Sequence, residues 1–265
     1  MSLLVKAGKG REIADITPQS AGWQHVGFRA VRLDVGEQES WQHAGRECCL
    51  VVLTGKVAVQ AGSLYWDSLG ERSSVFDDQA PWAVYVPAGE PLTITALTPA
   101  EVALCSAPGQ PGREVWLIAP ASMQRSVRGK GANTRYVTDI LPQTEPADGL
   151  LVVEVITPSG HSSSYPPHKH DLDNLPAESA LEETYYHRID PPQGFAFQRV
   201  YTDDRSLDES HAVENHDVMM VPRGYHPVCV PYGYQSYYLN VMAGPKRQWS
   251  FHNDPQHEWL LQLPD

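Results

Sequence analysis

Positive charge is scarce in this chain. Its 265 residues carry 20 lysines and arginines against 32 aspartates and glutamates, a formal net charge of −12 at pH 7. No run of basic residues offsets that balance, so nucleic acid and anionic membrane surfaces are poor partners. The four cysteines, Cys48, Cys49, Cys105 and Cys229, show no C-x-x-C spacing, which points to buried reduced thiols rather than a redox or zinc motif. Long apolar runs are missing too. The longest clean one, Cys48–Leu53, is far short of a membrane span, and the opening MSLLVKAGKGRE has too short an apolar stretch for a signal peptide. A cytoplasmic location is expected. Nor does any apolar stripe of helical period run beyond about three turns, the length of an average helix.

What the chain does have is strand. Hydrophobic residues make up 42% and charged residues 20%, enough for a packed core. Short β-branched or aromatic segments recur at Phe28–Val35, Cys49–Gly62, Trp82–Pro87, Leu92–Leu97 and Glu101–Ala107. They resume at Leu150–Pro158, Glu183–Ile189, Gly194–Thr202, Asp217–Gly224 and Ser236–Gly244. The 22 prolines and 20 glycines are spread among them as turn residues. Between the two series lies a crossing segment, residues 107–149, carrying Arg113, Arg125, Arg128, Lys130 and Arg135. The halves share an order of landmarks. His43, Glu47 and VPAG around Gly89 in the first correspond to His168, His170, Glu183 and VPRGYH ending at His226 in the second. An all-β protein of two like domains, residues 1–142 and 143–265, is expected.

The stretch PPHKHDLDNLPAESALEETYYHR, Pro166–Arg188, concentrates the chemistry. In a strand, His168 and His170 point to one face and Lys169 to the other, so the two imidazoles can grip one ion while the lysine turns away. A carboxylate and a third imidazole complete a ligand set, with Glu183 and His226 in the right elements and Glu182 a rival to its neighbour. The alternative is a histidine-rich surface turn. If Glu183–Ile189 is a regular strand, Tyr185 and His187 share Glu183's face and are candidates for the catalytic base. Arg199 and Tyr201 share one face of Gly194–Thr202 and are candidates for binding an anionic substrate, with Tyr238 a further one.

H-x-H, a later glutamate and a P-x-G turn before a histidine resemble the two motifs of the cupin superfamily, whose fold is a double-stranded β-helix barrel; two such halves make a bicupin. RGKGANTRYVTDILP, LLVVEVITPSGHSSSYPPHKHD, LEETYYHRIDPPQGFAFQRVYTDD and VPRGYHPV with YYLNVMAG look like the 5-deoxy-glucuronate isomerase family of myo-inositol catabolism. The resemblance covers nearly the whole chain. It implies one divalent metal ion, zinc or manganese, on His168, His170, Glu183 and His226, and it selects Glu183 over Glu182. It further implies an aldose-ketose isomerase converting the small uronate 5-deoxy-D-glucuronate to 5-dehydro-2-deoxy-D-gluconate. A metal-dependent cupin dioxygenase and a non-catalytic sugar-binding cupin are the alternatives. Twelve residues, 171–182, interrupt the metal motif where most cupins have a few, and read as a polar hairpin or lid. In the first half Leu92 takes the place of the motif histidine. That barrel is expected to be metal-free, with His43 and Glu47 in hydrogen bonds or solvent. Exposed edge strands leave a homo-oligomer open.

Overall fold

Almost every segment read as strand forms one. The computed structural model describes residues 2–263 and contains 23 strands; helix among the described residues amounts to Pro18–Ala21 and three 3-10 turns. None of these is long and apolar enough to cross a membrane. The all-β expectation holds, and the chain divides into two compact units.

One unit comprises Gly8–Gln124 and Asp139–Val153. Its six-stranded sheet runs Trp116–Ile118, Trp82–Val86, Arg46–Thr54, Ala100–Pro108, Gly27–Leu33, Glu12–Ile16. A four-stranded sheet runs Gln38–Trp41, Leu92–Ala96, Val57–Ala61, Leu64–Leu69. Period-two alternation turns Val31, Leu33, Cys48, Leu50, Val52, Val102 and Leu104 of the first sheet onto Val57, Val59, Leu92 and Ile94 of the second, forming one core. Burying each such leucine or isoleucine contributes roughly 1.5–3 kcal/mol. Leu92 is thus a core residue here, not a ligand position.

Glu47 faces away from that core and is fully buried. Its carboxylate accepts from the Tyr85 hydroxyl at 2.5 Å and from the backbone N–H groups of Asp148, Gly149 and Leu150 at 2.7 Å each. Burial and the glutamate together push the Tyr85 phenol far up. His43 is exposed, its Nδ1 accepting from the Gly45 N–H at 3.1 Å. The glutamate of the first half therefore pins the segment 148–150 in place.

The other unit comprises Met1–Ala7, Arg125–Thr138 and Glu154–Asp265. Leu4–Val5, Val218–Val221, Glu182–Asp190 and Gln235–Ala243 are successive neighbours in its main sheet. A second sheet runs Ser162–Ser163, Val228–Cys229, Phe195–Tyr201, Asp208–Glu214, and His168–Lys169 pairs with His252–Asn253. Tyrosine fills much of the interior, with Tyr185, Tyr186, Tyr225, Tyr237 and Tyr238 fully or almost fully buried.

A single boundary after residue 142 does not describe these units. Leu4 and Val5 pair with Met219 and Val218, so the first residues belong with the second half, and Arg125–Thr138 does as well while Asp139–Val153 goes with the first. Three of the four divisions fall inside strands, Gln124–Arg128, Arg135–Leu141 and Leu151–Thr157. Ladder hydrogen bonds, not linker composition, decide membership. Three of the cysteines are buried free thiols as expected, but Cys229 is exposed.

Candidate metal centre

Strand alternation selects which side chains enter the interior of the second unit. Along Glu182–Asp190, Glu183, Tyr185 and His187 share one face. The register sets Met242, Asn240 and Tyr238 opposite them, and all six are buried. Glu182 is on the other face and only half-buried. Geometry thereby separates two glutamates that local spacing leaves equivalent.

The turn Val221–Gly224 brings in His226. Gly224 sits at φ 95°, and a Cβ there would stand 2.6 Å from the Tyr201 carbonyl oxygen, so glycine is required on both counts. Its N–H donates to Asp171 Oδ1 at 2.7 Å, and its carbonyl accepts from His226 Nδ1, also at 2.7 Å. His170 is fixed in the same manner, Nδ1 donating to the Leu181 carbonyl at 3.0 Å while the Leu181 N–H returns a bond to the His170 carbonyl at 2.9 Å. A carbonyl can only accept, so the proton is on Nδ1 in both rings. Each ring consequently aims Nε2 at Glu183 Oε2, from 3.0 Å for His170 and 3.3 Å for His226.

The interruption 171–182 therefore acts as a brace. Asn174 and Glu178 form an isolated bridge, and Glu178 Oε1 accepts from the Asp171 and Leu172 N–H groups at 2.6 and 3.1 Å. Its far end supplies Leu181, which orients His170.

The ligand atoms of His170, Glu183 and His226 lie within 4.8 Å of one another, and all three residues are buried. His168, the expected fourth member, stands beside this group rather than within it. Its ring centroid is 4.9 Å from that of His226, 6.4 Å from that of His170 and 4.6 Å from that of Phe251. Lys169 turns away as expected, into an ion pair with Asp203. Burial pushes the His168 and His226 imidazoles down to about 3, leaving them neutral. For His170 burial acts downward too, but the hydrogen bond and charge of Glu183 outweigh it and the net shift is upward. His226 Nε2 is buried and has no hydrogen-bond partner. An unpartnered imidazole nitrogen facing a carboxylate, both rings anchored through Nδ1, fits the donor set of a divalent transition metal.

Behind the cluster, Tyr185 and Ser164 share a 2.9 Å hydroxyl–hydroxyl hydrogen bond. The Tyr185 ring is 5.7 Å from that of His226 and 4.8 Å from that of Tyr238. His187 Nε2 donates to Gln198 Oε1 at 2.8 Å, and burial holds that imidazole down to about 4. Tyr185, His187 and Tyr238 are thus gathered in the interior.

Arg199 is exposed, and Tyr201, though fully buried, is not turned towards Glu183, which corrects the reading of their strand. Gln198 and Val200 take the inward face of Phe195–Tyr201, leaving Arg199 and Tyr201 on the opposite one. Arg199 makes a bidentate pair with Asp208 at 2.7 and 2.8 Å, and the Tyr201 hydroxyl donates to Asp254 at 2.9 Å. Both have partners of their own away from Glu183. The cation near the centre is instead Arg135. Burial lowers its pKa, and its charge acts on His168, Tyr185 and Tyr238. It donates to the Asn133 and Tyr165 carbonyls at 3.1 and 3.4 Å. The concentration of arginines in residues 107–149 was the available signal, but strand patterning does not tell which of them turns inward.

Residues 3–260 match the model of the KduI/IolB family. The chain is 52% identical over 250 residues to a 5-deoxy-glucuronate isomerase of Geobacillus kaustophilus, covering 94% of this chain and 91% of that one. It is 51% identical over 270 residues to that of Halalkalibacterium halodurans, covering 99% and 100%. The crystal structure of an IolB-like protein from Salmonella typhimurium superposes with a TM-score of 0.96 at 48% identity, covering 98% of this chain and 99% of that chain. Oxalate decarboxylase of Lactobacillus farciminis, at 14% identity and a TM-score of 0.65, covering 100% and 91%, shares the two-barrel cupin fold alone.

Proposed function

This chain belongs to the KduI/IolB family and is an isomerase, and from that premise we propose that it is a metal-dependent aldose-ketose isomerase converting 5-deoxy-D-glucuronate to 5-dehydro-2-deoxy-D-gluconate, a step of myo-inositol catabolism in the cytoplasm. The observation that carries the metal is the convergence of His170 and His226 Nε2 on Glu183. These three would hold the ion, with His168, whose ring stands beside that of His226, as the fourth ligand. Zinc or manganese suits the set, since the reaction needs no redox change. A divalent ion held there supplies Lewis-acid stabilisation of the charge that develops as the carbonyl moves between C1 and C2.

The chain's own residues provide the rest. Arg135 replaces Arg199 as the cation for the substrate carboxylate, since a half-buried guanidinium at the wall of an apolar, tyrosine-lined interior gains more from a carboxylate than a solvated one. Tyr185 is the candidate for moving the proton. Its hydroxyl is buried and hydrogen-bonded to Ser164, and a phenol pushed up by burial holds its proton until a stronger base forms beside it. His187 stacks on Tyr185 at 6.0 Å between centroids and positions it.

An anaerobic NMR assay with 5-deoxy-D-glucuronate tests this reading. Conversion to the 2-keto product without oxygen, abolished by a chelator and restored by zinc or manganese, is expected. Turnover that requires oxygen would replace it with the dioxygenase, and chelator-insensitive turnover would remove the metal from the reaction.

A further inference from the structure

One aromatic ring stands on the open side of the metal centre. Phe251 is 46% exposed while His168 beneath it is 8% exposed, and the two ring centroids are 4.6 Å apart at an interplanar angle of 39°. Backbone pairing puts it there. His168 and Lys169 pair antiparallel with Asn253 and His252; carried one residue further, this register sets Phe251 opposite His170 and on the face shared by His168. Diagonal neighbours on one face of an antiparallel pair are within reach of aromatic side chains. The Phe251 ring therefore falls on His168, while Lys169 turns the other way to Asp203.

The chain holds this ring from both sides. Before it, the Ser250 N–H donates to Ser179 Oγ at 3.0 Å, and the Ser250 carbonyl accepts from the Ser179 N–H and hydroxyl at 2.9 and 3.0 Å. After it, the Asp254 N–H donates to the Pro167 carbonyl at 2.8 Å, and the buried Asp254 carboxylate accepts from the Tyr201 hydroxyl. Ser179 belongs to the brace 171–182 and Pro167 precedes His168, so residues 250–254 form a strap tied to both sides of the interrupted H-x-H motif. Trp249 continues the aromatic edge, its ring 6.1 Å from that of Phe251 and 5.2 Å below the Arg128 guanidinium.

His168 is the imidazole that needs such a stop. The ligand atoms of His170, Glu183 and His226 already lie within 4.8 Å of one another, and His168 stands beside them. A hydrogen bond to the Pro166 backbone holds one edge of its ring. The tilt of the ring is left to packing, with His226 on one side at 4.9 Å and Phe251 on the other.

We propose that Phe251 is a positioning residue for the metal centre: clamped between Phe251 and His226, the His168 imidazole is kept within reach of the ion. The proposal rests on the reading of this cluster as a divalent metal site.

The test uses the full chain loaded with cobalt(II), whose unpaired electrons move the ring N–H resonances of histidine ligands far outside the ordinary proton spectrum. Three such resonances are expected in the parent, and His168→Ala assigns the one that belongs to His168. Phe251→Ala should broaden or remove that resonance, leave those of His170 and His226 in place, and weaken cobalt binding about three- to tenfold, the size of one aromatic pair. Phe251→Tyr, which restores a ring, should recover both. Phe251→Leu keeps apolar bulk without the ring and supplies the same comparison if truncation to alanine unfolds the chain. Three sharp resonances with parent affinity in the folded alanine or leucine variant would overturn the role of Phe251 and leave the metal reading intact. Equal loss of all three resonances would overturn it too, marking Phe251 as a general prop of the fold. A parent that binds no cobalt, or binds it without a His168 resonance, would instead overturn the metal assignment and the positioning with it.

Discussion

Two arginines of the same chain behave oppositely because of what surrounds each. Arg199 lies in water with Asp208 as partner, and exposed pairs of this kind contribute at most about 1 kcal/mol. Arg199→Ala should leave kcat/KM for the uronate within about twofold of the parent and barely change stability. Arg135→Ala should lower kcat/KM by about a hundredfold, the loss of a charge-assisted pair in a sheltered site, and steady-state kinetics of the two variants side by side checks both expectations. His187 carries a pH consequence. Burial holds it near 4 against an ordinary 6.5, so the folded state binds fewer protons than the unfolded state between those values. Its contribution is complete above 6.5 and is lost as pH falls towards 4, to a total of ~3 kcal/mol. Urea unfolding should show stability falling over that interval, with a shallower fall in His187→Gln; an unchanged slope would contradict the assignment.

Elements are set by pairing and by what their ends must satisfy. Glu47 answers three backbone N–H groups at once, and truncating it strands donors at about 1–3 kcal/mol each. Glu47→Ala should therefore cost several kcal/mol, near the upper end of single substitutions, read as a lowered thermal midpoint. His43→Ala, which loses only a surface contact, should leave turnover nearly intact. The strands themselves were legible, because β-branched runs bounded by glycine and proline have few other uses, and Lys169 was placed correctly by alternation alone. Alternation also put Arg199 and Tyr201 on one face, but not which face. That choice is made by Gln198, which is buried against His187, a contact between strands that no local pattern reveals. The bracing role of 171–182 was hidden for the same reason, since Leu181 meets His170 only once the turn is closed.

At the scale of the whole molecule, two cores of one architecture carry different chemistry. Where the second unit sets His170, Glu183 and His226 around a point, the first has Leu92 in its core and Glu47 turned outward to brace the chain. The long motifs from Arg128 onward made the family legible, but the exchange of Met1–Ala7 and Arg125–Thr138 into the second unit rests on ladder pairing that sequence order conceals. The most direct measurement is metal content by mass spectrometry, taken with anaerobic turnover, on the parent and on His226→Ala. The account predicts one ion per chain in the parent, and a variant that keeps its β-type circular dichroism while losing ion and turnover together. A His226→Ala protein that retains its full ion, or turns over without one, would contradict it.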